Sequence, residues 1–269
     1  MDVSLVYMVA GLSSRFGGKI KQFAEVGRNG ETFIECSIKQ ALPAGFSKII
    51  FVVGNKTEQP FKNKFNGNYK GIPVFYVRQS YNPEKRDRPW GTADALCSAK
   101  NLIKEPCVIC NGDDLYGEKS FKVLVDHLQN TDENATIGIK LENMLPDEGK
   151  VTRGIFNVNN GYLESAREVF EISKSNFYEK GLRPDSLCNM NLFGLQLPTI
   201  HKLSKRVESF KRQYKNERLK ECFIHVELAN LVRENQIKIK VYSSEYKWLG
   251  ITNPEDEKIV KQELEKQNL

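Results

Sequence analysis

Val6-Tyr7-Met8-Val9-Ala10-Gly11-Leu12-Ser13-Ser14-Arg15-Phe16-Gly17-Gly18, with Lys21 close behind, decides the fold. An apolar strand runs into a loop of small residues, and an arginine and a lysine follow. That order suits a triphosphate. Small residues let backbone N–H groups approach phosphate oxygens, and two cations neutralise them. The spacing is neither that of a P-loop nor that of the dinucleotide-binding glycine fingerprint. The competing reading is a strand that ends in a plain surface loop.

Outward from this strand, apolar runs recur at Lys48 to Val53, Val74 to Val77, Pro106 to Cys110, Ala135 to Lys140, Gly154 to Val158, Asn189 to Leu197 and Ile237 to Tyr242. Helical periodicity lies between several of them. Glu31 to Leu42 and Thr92 to Leu102 each carry apolar residues on one helical face, and Ser120 to Leu128 and Ile224 to Glu234 are further candidate helices. Asn253-Pro254-Glu255-Asp256 has the cap, proline and early acids that start a last helix. The alternation predicts an α/β fold, with a mainly parallel sheet and helices on both faces. Ligands of such sheets bind beyond the carboxyl ends of the strands. Glu142 to Lys247 is less regular and reads as an insertion packed on the sheet.

The chain has 269 residues, 40% of them hydrophobic and 28% charged, which is an ordinary globular composition with ample core. No run of about 18 apolar residues exists, which argues against a membrane partner. Met1 to Leu5 lacks the marks of a signal peptide, so a cytoplasmic location is expected. The six cysteines fit a reducing compartment. Cys107 and Cys110 have metal-pair spacing but lie on one strand, where residues three apart face opposite ways. They read as small buried thiols. The net charge of +6 is mostly interleaved with acids, as in Lys202 to Lys220, so it reads as solvated helix faces rather than a nucleic-acid stripe.

Three further stretches carry chemistry. In Asn111-Gly112-Asp113-Asp114 a buried strand ends in two carboxylates, hard oxygen donors that suit magnesium shared with phosphates. Alternatively, one of them caps the helix near Ser120. Gln79, at a strand end, and Gly91-Thr92, at a helix start, can read a base edge and its ribose; turn chemistry explains them equally. Lys247-Trp248-Leu249-Gly250-Ile251-Thr252-Asn253 can be read wholly as a strand end and helix cap.

Together these ordered motifs resemble the nucleoside-diphosphate-sugar pyrophosphorylases, a nucleotidyltransferase family, nearly end to end. The match is nearest to the N-acetylglucosamine-1-phosphate uridylyltransferases. Ala10-Gly11-Leu12-Ser13-Ser14-Arg15 and Ile20-Lys21 are similar to the family's opening, with Ile20 for the usual proline. Gly250 stands where several branches carry aspartate, and Gly250-Ile251-Thr252-Asn253 is similar to the Gly-Val-Asn-Asn of the amino-sugar enzymes.

The resemblance implies a Rossmann-like, GT-A-type sheet sandwiched by helices, with a smaller sugar-binding insertion. It implies one domain over 1–269: a nucleotide part to about 141, a sugar part over about 142–247, and a closing strand and helix over 248–269. It assigns catalysis to Arg15 and Lys21. Nucleotide contacts fall to Ala10, Gly11, Leu12, Ser13, Ser14, Gln79, Gly91 and Thr92. Sugar contacts fall to Gly154, Glu168 and Asn189. Mg2+ falls to Asp113 and Asn253. The implied substrates are UTP and a sugar 1-phosphate, foremost N-acetylglucosamine 1-phosphate, and the family admits a homodimer. A cytidylyltransferase of polyol phosphate, methylerythritol phosphate or phosphocholine is the rival enzyme, and a non-catalytic nucleotide-binding regulator is the rival of another class. His127, His201 and His225 lie outside the motifs and read as surface or packing residues.

Overall fold

The computed structural model describes residues 1–11, 16–146, 148–246 and 248–266. Its strands are β1 (Ser4–Val9), β2 (Lys48–Val53), β3 (Asn68–Tyr69), β4 (Ile72–Arg78), β5 (Cys107–Asn111), β6 (Asp114–Leu115), β7 (Asn134–Lys140), β8 (Val151–Asn159), β9 (Tyr162–Ile172), β10 (Leu187–Leu195), β11 (Ile239–Ser244) and β12 (Leu249–Gly250). Its helices are α1 (Phe33–Ala41), α2 (Glu58–Phe65), α3 (Thr92–Ser98), α4 (Glu118–Asn130), α5 (Leu197–Gln213), α6 (Ile224–Arg233) and α7 (Asp256–Lys266).

Among the described residues, one sheet runs β3-β4-β2-β1-β5-β10-β7-β11-β9-β8, and β12 pairs with β6 beside it. Strands β4, β2, β1 and β5 are parallel neighbours. β1 is buried along its whole length because both its faces are covered. Leu5, Tyr7 and Val9 enter one core with Ile34 and Ile38 of α1, Phe61 of α2 and Leu124 of α4. Val6 and Met8 enter the other with Leu96 of α3, Leu203 of α5 and Leu228 of α6. Helices therefore cover both faces, as the alternation predicts. Cys107 and Cys110 of β5 are divided between the same two cores.

The expectation of a mainly parallel sheet is corrected in the second half. β10 is antiparallel to β5, β7 and β8, and β9 is antiparallel to β8 and β11. β10 bends at a bulge between Asn189 and Phe193. The bend lets its first residues reach β8 while its last residues pair with β5, so β10-β7-β11-β9-β8 close into a barrel-like ring. The segment read as an insertion on the sheet is thus continuous with it. No helix among the described residues is long and apolar enough to cross a membrane.

Candidate active site

The site forms where β1 and β5 leave the sheet side by side. Met8 pairs with Asn111, and the Gly112 amide donates to the Met8 carbonyl at 3.1 Å. Both following segments therefore open at one sheet edge. Ala10 is buried and Gly11 exposed, while Leu12, Ser13, Ser14 and Arg15 lie outside the described residues. Beyond them the chain makes a tight turn at Lys21–Phe23, which presents Lys21. The Lys21 ammonium is paired with the Asp113 carboxylate. This contact joins the two motifs that the sequence places furthest apart in the nucleotide half.

The two carboxylates part company here. Asp113 stays partly open beside Lys21. Asp114 is buried, and accepts from the Asn111 amide at 2.7 Å and the Trp248 indole N–H at 2.8 Å. Burial, with Asp113 adding to it, pushes the Asp114 carboxyl up to about 6. Neither aspartate caps α4, whose N-cap is Gly117, and α4 begins at Glu118 rather than Ser120. Gly250 pairs with Asp114, and a Cβ there would lie 2.7 Å from Asp114 Oδ1 and 2.4 Å from the Trp248 ring. A side chain at position 250 is therefore excluded while Asp114 keeps its place. Ile251 donates to the Asp113 carbonyl at 3.1 Å, which brings Asn253 within two residues of that carboxylate's backbone. The Asn253 backbone N–H is held by Asp256 at 2.7 Å. A carboxylate and an amide oxygen on adjoining segments are hard donors that fit magnesium, which takes few protein ligands and leaves positions for phosphate oxygens.

On the other flank, Gln79 Nε2 donates to the Gly91 carbonyl and to Asp94, each at 2.9 Å. Gly91 has φ +99, and a Cβ would strike the Cys222 carbonyl at 2.6 Å. Thr92 Oγ1 accepts from the Ile224 amide at 3.0 Å. So Gln79, Gly91 and Thr92 form one cluster, tied to the start of α6. The charged loop at 81–90 is tied to the segment that leads into α6, with the Asp87 amide donating to the Arg218 carbonyl at 3.2 Å and the Cys222 amide to the Trp90 carbonyl at 2.7 Å. Arg86 is buried, stacks on Trp90 at 3.5 Å, and donates to the carbonyls of Glu217 and Lys220.

The three sugar candidates meet across three strands. Gly154 of β8 lies opposite Glu168 of β9 and opposite Asn189 of β10. Asn189 accepts from the Asn191 amide at 2.9 Å, and the Asn191 side chain reaches Asn111 at 3.4 Å, so this row connects back to Asp114. Two residues were not legible from the sequence. His225 of α6 is buried, with Nε2 2.7 Å from Glu168 Oε1, and it fills the space a Gly154 side chain would need. Arg153 lies against Trp248. No motif marks His225; only its place at a helix start next to the Gly91 cluster singles it out.

The sequence model of the family described as nucleotidyl transferase matches residues 18–248. The chain belongs to the nucleotidyl transferase family. Solved structures agree on the fold. The inositol-1-phosphate CTP transferase from T. maritima superposes with a TM-score of 0.67 at 13% identity, over 98% of this chain and 96% of that one. A UDP-glucose pyrophosphorylase complexed with UDP-glucose gives 0.68 at 17%, over 99% and 100%. HddC from Yersinia pseudotuberculosis complexed with GMP-PN gives 0.64 at 14%, over 97% and 99%. At these identities the likeness speaks for the fold, a GT-A-like α/β sheet. No curated protein matches the chain by sequence.

Proposed function

We propose that this nucleotidyltransferase joins UTP to a sugar 1-phosphate, with N-acetylglucosamine 1-phosphate the first candidate, and releases pyrophosphate. The observation that carries the reading is the Lys21–Asp113 pair at the shared exit of β1 and β5. A phosphate oxygen of the acceptor attacks the α-phosphorus in line. One P–O bond forms, and the bond to the bridging oxygen breaks, its electron pair leaving with pyrophosphate. No covalent enzyme intermediate is needed, so the protein's work is positioning and charge stabilisation.

Lys21 has three donor hydrogens. One serves Asp113, and the others are available to the α-phosphate and the incoming phosphate. Arg15 and the loop amides from Ala10 to Ser14 take the departing phosphates. Magnesium on Asp113 and Asn253 supplies further neutralisation when bound. Gln79 has spent its amide hydrogens on Gly91 and Asp94. Its oxygen remains to accept an N–H from the base edge, which a uracil offers, with Gly91 and Thr92 beside the ribose. Glu168, Asn189 and the Gly154 backbone take the sugar hydroxyls.

The test is a turnover screen that follows pyrophosphate. UTP, CTP, GTP and dTTP are crossed with N-acetylglucosamine 1-phosphate, glucose 1-phosphate, inositol 1-phosphate and phosphocholine. Release that requires magnesium and favours UTP with an amino-sugar phosphate is the expected result. Preference for CTP with a polyol phosphate or phosphocholine would overturn the substrate assignment, and nucleotide binding with no release for any pair would overturn catalysis.

A further inference from the structure

Asp94 has no role of its own above, yet it is a buried carboxylate with both oxygens engaged. It sits in the first turn of α3, two residues beyond Thr92. One oxygen accepts from Gln79 Nε2 at 2.9 Å. The other is paired with the ammonium of Lys211, from the last turn of α5. Lys211 also lies 5.9 Å from the centre of the Trp90 ring, the ring on which Arg86 stacks. Three elements therefore meet at one carboxylate: the end of β4, the start of α3 and the end of α5.

The consequence falls on Gln79. A glutamine amide has a donor end and an acceptor end of similar size, and a half-turn exchanges them. Here the neighbours decide. The Gly91 carbonyl and the Asp94 carboxylate are both acceptors, so the NH2 faces them and Oε1 faces away. The Gly91 carbonyl also receives the Ala95 amide at 3.1 Å, so it keeps a donor without Gln79. Asp94 is the stricter constraint, because a buried carboxylate set against an amide oxygen is costly. Gln79 is only 6% exposed, yet its Oε1 has no donor among the described residues and is not sealed from solvent. The Gln79 backbone N–H donates to the Val53 carbonyl at 2.9 Å, which sets the residue at the carboxyl ends of β2 and β4. Those strands run parallel with β1 and β5, so Gln79 opens at the same sheet edge as the Lys21–Asp113 pair.

We propose that Asp94, held by Lys211, fixes the polarity of Gln79 and so determines which bases this site distinguishes. It is a positioning residue, since it acts through Gln79 and touches no substrate. The inference rests on the reading of Gln79 as the base contact. Uracil and cytosine show opposite polarity at position 4 and at the ring nitrogen beside it. An amide of fixed polarity separates them, and an amide free to turn does not. Calorimetry measures UTP and CTP, each with magnesium, on the wild-type chain and on Asp94→Asn. Asparagine keeps the volume but can turn either end of its own amide to Gln79. The expected result is a wild-type affinity ratio of about 10- to 100-fold that shrinks to within about threefold in the variant. A residue that merely held α3 in place would weaken both nucleotides together and leave the ratio. An unchanged ratio in folded Asp94→Asn therefore overturns the proposal, and so does a wild-type chain that binds the two nucleotides alike.

Should Asp94→Asn fail to fold, the side-chain NH2 of Gln79 in the wild-type chain decides, with NMR hydrogen exchange as the readout. Hydrogens protected from solvent support the lock, and hydrogens that exchange as fast as those of exposed glutamines overturn it. The two readings fail separately. A wild-type preference for CTP that collapses in Asp94→Asn supports the lock and sinks the UTP assignment alone. A preference for UTP that survives undiminished in Asp94→Asn sinks the lock alone.

Discussion

Lys21 and Asp113 are 92 positions apart in the chain and paired in space. Each alone is an ordinary surface charge; together they place a cation and a hard oxygen donor at one strand exit. Lys21→Ala is expected to lower turnover by on the order of 10²–10³, the effect of removing one preorganised charge donor. Steady-state pyrophosphate release checks this, and near wild-type turnover under saturating magnesium would remove Lys21 from the mechanism.

Asp114 makes a different prediction. Its carboxyl is pushed from 3.8 to about 6 by burial and by Asp113. The folded chain therefore holds this proton more tightly than the unfolded chain does. The group's contribution to stability is complete below about pH 4 and is lost as pH rises through about 6. Other carboxylates cancel when the wild type is compared with Asp114→Asn. The Tm of the wild type minus that of the variant should fall between pH 4 and pH 7. A flat or rising difference would mean that Asp114 is not the strained acid described here.

Elements decide what single residues cannot. α3 and α6 are locked at their starts: Cys222 donates to the Trp90 carbonyl at 2.7 Å, Ala93 to the Cys222 carbonyl at 3.0 Å, and Ile224 to Thr92. Only glycine fits at position 91, with its positive φ and the Cys222 carbonyl against it. Gly91→Ala should cost about 2–3 kcal/mol from backbone strain and overlap. Thermal denaturation reads the loss, and an unchanged Tm would show that the lock is not needed.

Element starts and ends also measure how far the sequence could be read. β2 spans the predicted Lys48–Val53, because both its faces are apolar. β9 escaped notice because Glu164, Arg167, Glu168 and Glu171 break any apolar run; it is half-buried, so its pattern is polar on the solvent side. α5 overlaps the charged stretch that reads as solvated faces; its buried apolar residues are Ile200, Leu203 and Val207, and the buried Thr199 and Ser204 complete the inward face. Its apolar stripe is narrow, and by sequence Leu197 continues the apolar run of the strand before it.

At the scale of the molecule, the loop at 81–90 and the segment at 214–223 hold each other beside the cluster of Gln79, Gly91 and Thr92. Arg86 is the rivet, a buried guanidinium on three carbonyls and one indole ring. Arg86→Ala should cost on the order of 3 kcal/mol and raise hydrogen exchange in both segments together. Exchange confined to residues near 86 would show that the two segments are held independently.

Local sequence was sufficient for the parallel half of the sheet, the helices on its two faces and the Gly-Asp turn. Each of these is written in a contiguous run, through apolar periodicity, cap residues or small residues at a strand end. Tertiary structure alone decided the ring closed by β10 and β8, the burial of Asp114 under Trp248, the stacking of Arg153 on that indole, and the arrival of His225 at the row of Gly154, Glu168 and Asn189. Those features depend on strand register and on a bulge, which bring together residues far apart in the chain. An isolated arginine or histidine carries no mark of the partner that the fold will set beside it.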